Sequence, residues 1–180
     1  MSEQRLIFAC KQGKLWAGKE VYEQYAPAMM ALCRRYIPDA EDAKDVLQEG
    51  FLKIFTEIGQ YSGKGSFGGW IRRIFVNTSL DYLRKKNRLK QKELLIDLET
   101  GYCEDAPDPD TADITADDLM HCIGELPDAH RTVFNLFAVE GFSHREIAAL
   151  LNIPESTSRS LFFRARQSLQ KKVAQLTERR

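Results

Sequence analysis

From Gly141 to Leu169 the chain reads GFSHREIAALLNIPESTSRSLFFRARQSL, and this stretch leaves little choice of fold. Ser143 followed three residues later by Glu146 is a capping-box pattern, in which each side chain takes up a free backbone N–H at a helix start. A helix beginning near His144 follows. Ile147, Leu150 and Leu151 give it one apolar face, and Ala148 and Ala149 are small enough for close packing. Asn152 stands where the chain must turn, and Asn tolerates the left-handed conformation. A second helix starts near Pro154, where a missing N–H costs nothing in the first turn, with apolar positions Phe162, Ala165 and Leu169 three and four apart. Two helices joined by so short a turn must cross.

The other face of the second helix carries Ser156, Thr157, Arg159, Ser160, Arg164 and Arg166, all donors. A helix lying in a DNA major groove needs this set: arginines for phosphates or guanine edges, hydroxyls for phosphates and base edges, and few acids. The same pattern also describes a helical hairpin in an ordinary core with solvated arginines. The rest of the chain decides between them.

With 180 residues the chain can hold one domain with a full core or two small helical ones, and 43% hydrophobic residues are ample for folding. No apolar run reaches the ~18 residues of a membrane helix. The N-terminal MSEQRLIFACKQGK lacks the apolar core of a signal peptide, so a cytoplasmic location without membrane insertion is expected. The four cysteines, Cys10, Cys33, Cys103 and Cys122, form no CxxC pair. Cys122 beside His121, with Cys103 and His130 nearby, fits no standard metal spacing, and no metal or other cofactor is expected.

The formal net charge of zero hides three blocks. Residues 1–90 hold 16 Lys and Arg against 10 Asp and Glu, residues 91–120 hold 1 against 10, and residues 121–180 hold 9 against 6. Two basic units separated by an acidic connector speak to partners more than to fold.

In EVYEQYAPAMMALCRRY, residues 20–36, Val21, Tyr25, Met29, Leu32 and Tyr36 recur at helical spacing. In DAEDAKDVLQEGFLKIFTEI, residues 39–58, a second helix is expected to bury Val46, Leu47, Phe51, Ile54, Phe55 and Ile58, leaving Asp42, Asp45, Gln48 and Glu49 on the opposite face. Acids early in a helix also favour its dipole, so these four can be simply solvated.

GQYSGKGSFGG, residues 59–69, has five glycines in eleven residues and the side chains Tyr61, Lys64 and Phe67. Such a loop can approach a ligand closely, yet it lacks the order of a nucleotide-binding P-loop and no apolar strand precedes it. Helix resumes at Trp70, with Ile71, Ile74, Phe75, Thr78 and Tyr82 near one side and Arg72, Arg73, Asn77, Asp81, Arg84 and Lys85 on the other. It ends in a run where Arg84, Lys85, Lys86, Arg88 and Lys90 are five of seven residues. Basic charge beside aromatics and a glycine loop suits single-stranded nucleic acid, through backbone neutralisation and base stacking.

Residues 97–118 contain nine acids, no Lys or Arg, and both Pro107 and Pro109. Such a segment repels itself and buries little, so a linker is expected. After Leu119, a helix end at Leu126, a restart at Pro127 and an apolar face from Val133, Phe134, Leu136 and Phe137 complete a unit of four helices.

The order of these pieces resembles a bacterial RNA polymerase sigma factor of the sigma-70 family, extracytoplasmic-function type. DAEDAKDVLQEGFLKIF is similar to the polymerase-binding helix of region 2, SFGGWIRRIFVNTSLDYLRKK to its promoter-recognition segment, and LPDAHRTVFNLFAVEGFSHREIAALLNIPESTSRSLFFRAR to region 4. The resemblance implies an all-α chain of two small helical domains joined by a flexible acidic linker: an extension over residues 1–19, region 2 over 20–92, the linker over 93–118 and region 4 over 119–175. It implies that Asp42, Asp45, Gln48 and Glu49 dock on the clamp helices of the polymerase's largest subunit. Lys64, Phe67, Trp70, Arg73, Asn77, Arg84 and Lys85 would hold the minus-ten element. Ser156, Thr157, Arg159, Ser160, Arg164 and Arg166 would read the minus-thirty-five element. The flap of the second-largest subunit, promoter DNA and an anti-sigma factor are the further partners it implies, and catalysis belongs to the polymerase.

Two other readings compete. A free-standing helix-turn-helix regulator would bind a two-fold symmetric duplex without polymerase. A metal-dependent nuclease would use Asp117 and Asp118 beside Glu125, carboxylates in a stretch too loose to preorganise a metal.

Overall fold

The computed structural model describes residues 2–89 and 114–178, and every regular element in these residues is helical. The chain divides into two compact units, residues 1–88 and 89–180. Most of the acidic connector, with Cys103 and Lys90, lies outside the described residues.

Unit 1 comprises α1 (Glu3–Lys11), α2 (Leu15–Tyr36), α3 (Ala40–Glu57) and α4 (Phe67–Leu89), with a 3-10 turn at Ile58–Gln60 after α3. Asp39 starts α3, its carboxylate accepting the N–H groups of Glu41 and Asp42 at 3.0 and 2.9 Å. The core is made by Leu32 and Tyr36 of α2, Val46 and Ile54 of α3, and Phe67, Ile71, Phe75 and Leu80 of α4, all at most 2% exposed. Rings interlock across it, Tyr22 to Phe51 at 4.6 Å and Phe51 edge-on to Phe75 at 5.3 Å.

Two local expectations change. Residues 3–11, read as part of an extension, form α1 and bury Leu6, Ala9 and Cys10, a stripe too short and small to declare itself in sequence. Phe55, expected in the core, is 39% exposed, because its ring runs along Phe51 at the rim, with centroids 6.1 Å apart.

Unit 2 comprises α5 (Ala116–Gly124), α6 (Asp128–Phe134) with a π-helical continuation at Asn135–Val139, α7 (His144–Leu151) and α8 (Glu155–Glu178). The expected capping box of Ser143 with Glu146 forms on α7, and a second, Thr115 with Asp118, starts α5. Ala116–Asp118, read as the end of the linker, are therefore the first turn of a helix. Asn152 takes the left-handed conformation, φ 55°, between α7 and α8. Cys122, Ile123 and Leu126 pack on Ala165 and Leu169 of α8, with Phe134 and Leu176 at the margin.

Arg131 belongs to this core although it is charged. Its side chain is 4% exposed, and its guanidinium donates to the carbonyls of Leu126 at 2.5 Å and Gly124 at 3.3 Å and to the Asp128 carboxylate. The carbonyl of Gly124, which α5 leaves open at its end, and that of Leu126 just beyond it are thus satisfied from α6.

Candidate polymerase and nucleic-acid interfaces

The four polar residues singled out on α3 have different surroundings. Asp45 and Gln48 are exposed, and Glu49 pairs with Lys53 at 3.0 Å. Asp42 instead meets Lys86 of α4 at 2.7 Å, and hydrogen bonds from Lys86 and Tyr82 hold its carboxyl below the ordinary value. Asp42 therefore serves the contact between α3 and α4. One residue beside them escaped the sequence reading: Leu52 is 67% exposed, one turn beyond Gln48 and Glu49. The available signal was that Leu52 is apolar yet falls off the buried stripe of α3. An exposed leucine rimmed by polar groups is the composition of a docking patch.

On α4, Arg73, Asn77, Arg84 and Lys85 are exposed, and Lys64 is exposed in the loop before the helix. Residues 73, 77 and 84 lie within roughly 40° of one another around the axis, so they line one face over about 16 Å. Trp70 stands at the loop end of the same face. It is half-buried, held by Phe67 at 5.8 Å, nearly coplanar at 14°, and by Tyr61 at 5.4 Å. Arg84 is steadied by Asp81 at 3.0 Å.

Phe67 requires a correction. The resemblance implies a minus-ten contact for it, but the ring is 0% exposed, closed in by Tyr25 at 5.9 Å, Tyr61 at 5.4 Å and Trp70. As the first residue of α4 it turns its side chain into the core, so it supports Trp70 and cannot itself meet a base.

On α8, Ser156, Arg159, Ser160 and Arg166 are exposed, while Thr157 and Arg164 are half-buried on its flank. Arg159 pairs with Glu155 at 2.6 Å, and the Ser160 hydroxyl donates to the Thr157 carbonyl at 3.0 Å. The helix is aimed from beneath by Ser158, which the sequence did not single out, and by His144, named there only as a helix start. Ser158 is 0% exposed, its hydroxyl 2.9 Å from His144 Nδ1 on α7. The His144 ring stacks on Phe137 at 4.3 Å and meets Phe162 edge-on at 5.8 Å. Burial, then the nearby Arg159 charge, push the His144 pKa below its ordinary value, favouring the neutral ring that this hydrogen bond and stack accommodate.

Two of the three carboxylates of the nuclease reading are occupied otherwise. Asp118 caps α5, and Glu125 pairs with Lys172 at 2.5 Å and His121 at 3.4 Å. Among the described residues no three His, Cys, Asp or Glu side chains cluster as a metal site would need, and no helix is long and apolar enough to cross a membrane.

Comparison with known proteins adds an independent line. The family profile for sigma-70 region 2 matches residues 21–89, and that for sigma-70 region 4 matches residues 116–169. The chain is 28% identical over 183 residues to the RNA polymerase sigma-H factor of Pseudomonas aeruginosa, covering 97% of this chain and 95% of that protein. It is also 28% identical over 188 residues to the ECF RNA polymerase sigma-E factor of Escherichia coli K12, covering 99% and 98%. Among solved structures, the sigma factor RpoE, crystallised with the anti-sigma factor NepR from Bartonella quintana, shares the fold with a TM-score of 0.54 at 21% identity, covering 86% of this chain and 95% of that one.

Proposed function

The chain belongs to the extracytoplasmic-function branch of the sigma-70 family and directs promoter-specific transcription initiation, and from that premise we propose how its surfaces divide the work. Unit 1 docks on polymerase core through Asp45, Gln48 and Glu49 of α3, with Leu52 as the apolar anchor among them. Its α4 face takes the minus-ten element: Trp70 offers a stacking surface, Arg73, Arg84 and Lys85 neutralise the strand, and Asn77 supplies directional hydrogen bonds. Unit 2 sets α8 in the major groove of the minus-thirty-five element, led by Ser156, Arg159, Ser160 and Arg166.

The supporting observation is the face of α4, where an aromatic ring and exposed cations line about four turns of one helix. Stacking one unpaired base on an aromatic side chain is worth about 1–3 kcal/mol, comparable with the few kcal/mol that extracting the base costs. Binding energy alone then favours strand opening, and the chemistry remains with the polymerase in the cytoplasm. An anti-sigma partner would silence the chain by covering these faces.

Run-off transcription from random-promoter templates tests the whole reading. Core polymerase with this chain should start at defined sites sharing two spaced elements. Specific gel-shift binding by the chain alone, with no transcripts, would favour the free-standing regulator instead.

Two substitutions test the parts. Asp45→Lys reverses charge on the docking face, and like-charge apposition should lower core affinity roughly tenfold in a fluorescence titration. Unchanged affinity would remove that face from the interface. Arg159→Ala should cost about 1–3 kcal/mol at the cognate upstream element if its contact is bidentate to a base. An equal loss on every sequence would make Arg159 a phosphate contact, made at the expense of its pairing with Glu155.

A further inference from the structure

α1 lies outside the residues matched by the region 2 profile, which begin at 21, yet it reaches the glycine loop that precedes α4. Lys11, its last residue, donates from Nζ to the carbonyl of Tyr61 at 2.7 Å, across 50 residues of sequence. The same ammonium lies 6.0 Å from the centroid of the Tyr61 ring. Tyr61 in turn donates from its hydroxyl to the carbonyl of Gly65 at 2.9 Å, closing the loop on itself. Its ring is 7% exposed and packs on Phe67 and Trp70 at 5.4 Å each. A second link from α1 is the Tyr25 hydroxyl, 3.5 Å from Glu3, with Tyr25 edge-on to Phe67.

We propose that Lys11 is a positioning residue for minus-ten selection, fixing the loop through Tyr61 so that Lys64 and Trp70 meet an unpaired base in one geometry. Residues 62–66 are all exposed, and Gly63 and Gly65 hold φ of 77° and 81°, where most residues resist going. A glycine-rich exposed loop would otherwise sample many backbone states, and selecting one base requires that those states be removed before binding. Lys11 acts at one end of the loop by a charge-assisted bond to its backbone, and the Tyr61 ring carries that restraint to Trp70. α1 also leaves a shallow open cleft against the loop, about 380 Å³, with Lys11, Phe8 and Gly63 on its walls.

The proposal rests on the assignment of the loop and α4 to the minus-ten element, and its test separates the two. Holoenzyme assembled from core polymerase and the full chain is titrated with single-stranded non-template oligonucleotides carrying the matched minus-ten sequence or one base change at a time. Lys11→Met keeps the alkyl stem but removes the donor. It should lower the ratio of matched to mismatched affinity by about two- to tenfold, the range one such hydrogen bond supports. Lys11→Arg should restore most of that ratio, while core affinity and the melting temperature of the Lys11→Met chain match the parent.

An unchanged ratio in Lys11→Met, with Lys64→Ala and Asn77→Ala both lowering it, overturns the proposal and leaves the minus-ten assignment standing. If Lys64→Ala and Asn77→Ala also leave the ratio unchanged, the assignment itself fails and the proposal with it. A lower melting temperature that accounts for the loss, with no rescue by Lys11→Arg, would reduce Lys11 to a stabilising residue and also overturn it.

Discussion

Gly50→Ala is expected to destabilise unit 1 by about 2 kcal/mol, although alanine is the better helix former. A Cβ at this position of α3 would stand 2.3 Å from Cε1 and 2.7 Å from Cδ1 and Cζ of Phe75, distances at which something must shift. Phe75 is 0% exposed and held edge-on by Phe51, so its ring has no free direction. Overpacking of this kind costs typically about 1–3 kcal/mol, and the severity of the clash puts it at or above the upper end. Removing a glycine from a helix interior returns roughly 1 kcal/mol, which leaves the net loss.

Thermal unfolding should report it as a drop of roughly 8–16 °C. Hydrogen exchange should show amides of α3 and α4 losing protection by roughly thirtyfold. Phe75→Leu in the same chain should relieve part of the clash, so the double variant should lose less than the sum of the singles. An unchanged or raised melting temperature for Gly50→Ala would mean that α3 and α4 are not in the close contact described. Because α3 carries the residues proposed to dock on polymerase and α4 those proposed to hold the minus-ten element, the variant should also initiate poorly when the factor is limiting.

Arg131→Met is expected to cost unit 2 about 3 kcal/mol. Methionine keeps much of the apolar stem, so the loss isolates the guanidinium. That group is donor to the carbonyls of Leu126 and Gly124 and to Asp128, from a side chain 4% exposed. Buried acceptors left without a donor cost about 1–3 kcal/mol each, and bonds from a charged donor are at the strong end. Asp128 is 40% exposed and can turn to water, so most of the loss belongs to the carbonyls.

Exchange protection in α5, α6 and α8 should therefore fall roughly a hundredfold. Asp128→Asn should do much less. Dependence on the minus-thirty-five element, proposed to be read by α8, should weaken in Arg131→Met while the core affinity proposed for α3 persists. Equal protection losses in the two variants would place the energy in the ion pair and refute this apportioning.

Neither residue invited notice in the sequence. Gly50 sits in a helix whose period is plain without it, and Arg131 reads as one more cation in a chain with 26 Lys and Arg. Lys11 lies in a segment that reads as an extension. Their roles depend on what packs against them.

What the chain carries in its local order is substantial. Ser143 with Glu146 starts α7, Asn152 turns the chain, and α8 shows Ser156, Arg159, Ser160 and Arg166 outward as its period requires. Each depends on groups three or four residues apart, whose meeting is set by helical geometry. The exposed face of Arg73, Asn77 and Arg84 on α4 is legible for the same reason.

Packing decided the remainder. An aromatic ring at the mouth of a glycine loop can equally stack on a base or fill a core. Phe67 went inward and Trp70 stayed half-exposed because Tyr25 arrives from α2, and Tyr61 from the start of the loop, to enclose the first. An acid on a solvated helix face can serve a partner or its own fold. Asp42 went to Lys86, 44 residues away, and Asp45 did not. Side-chain period places a residue on a face, whereas the element that covers that face is chosen by contacts between residues far apart in the chain, which no local pattern records.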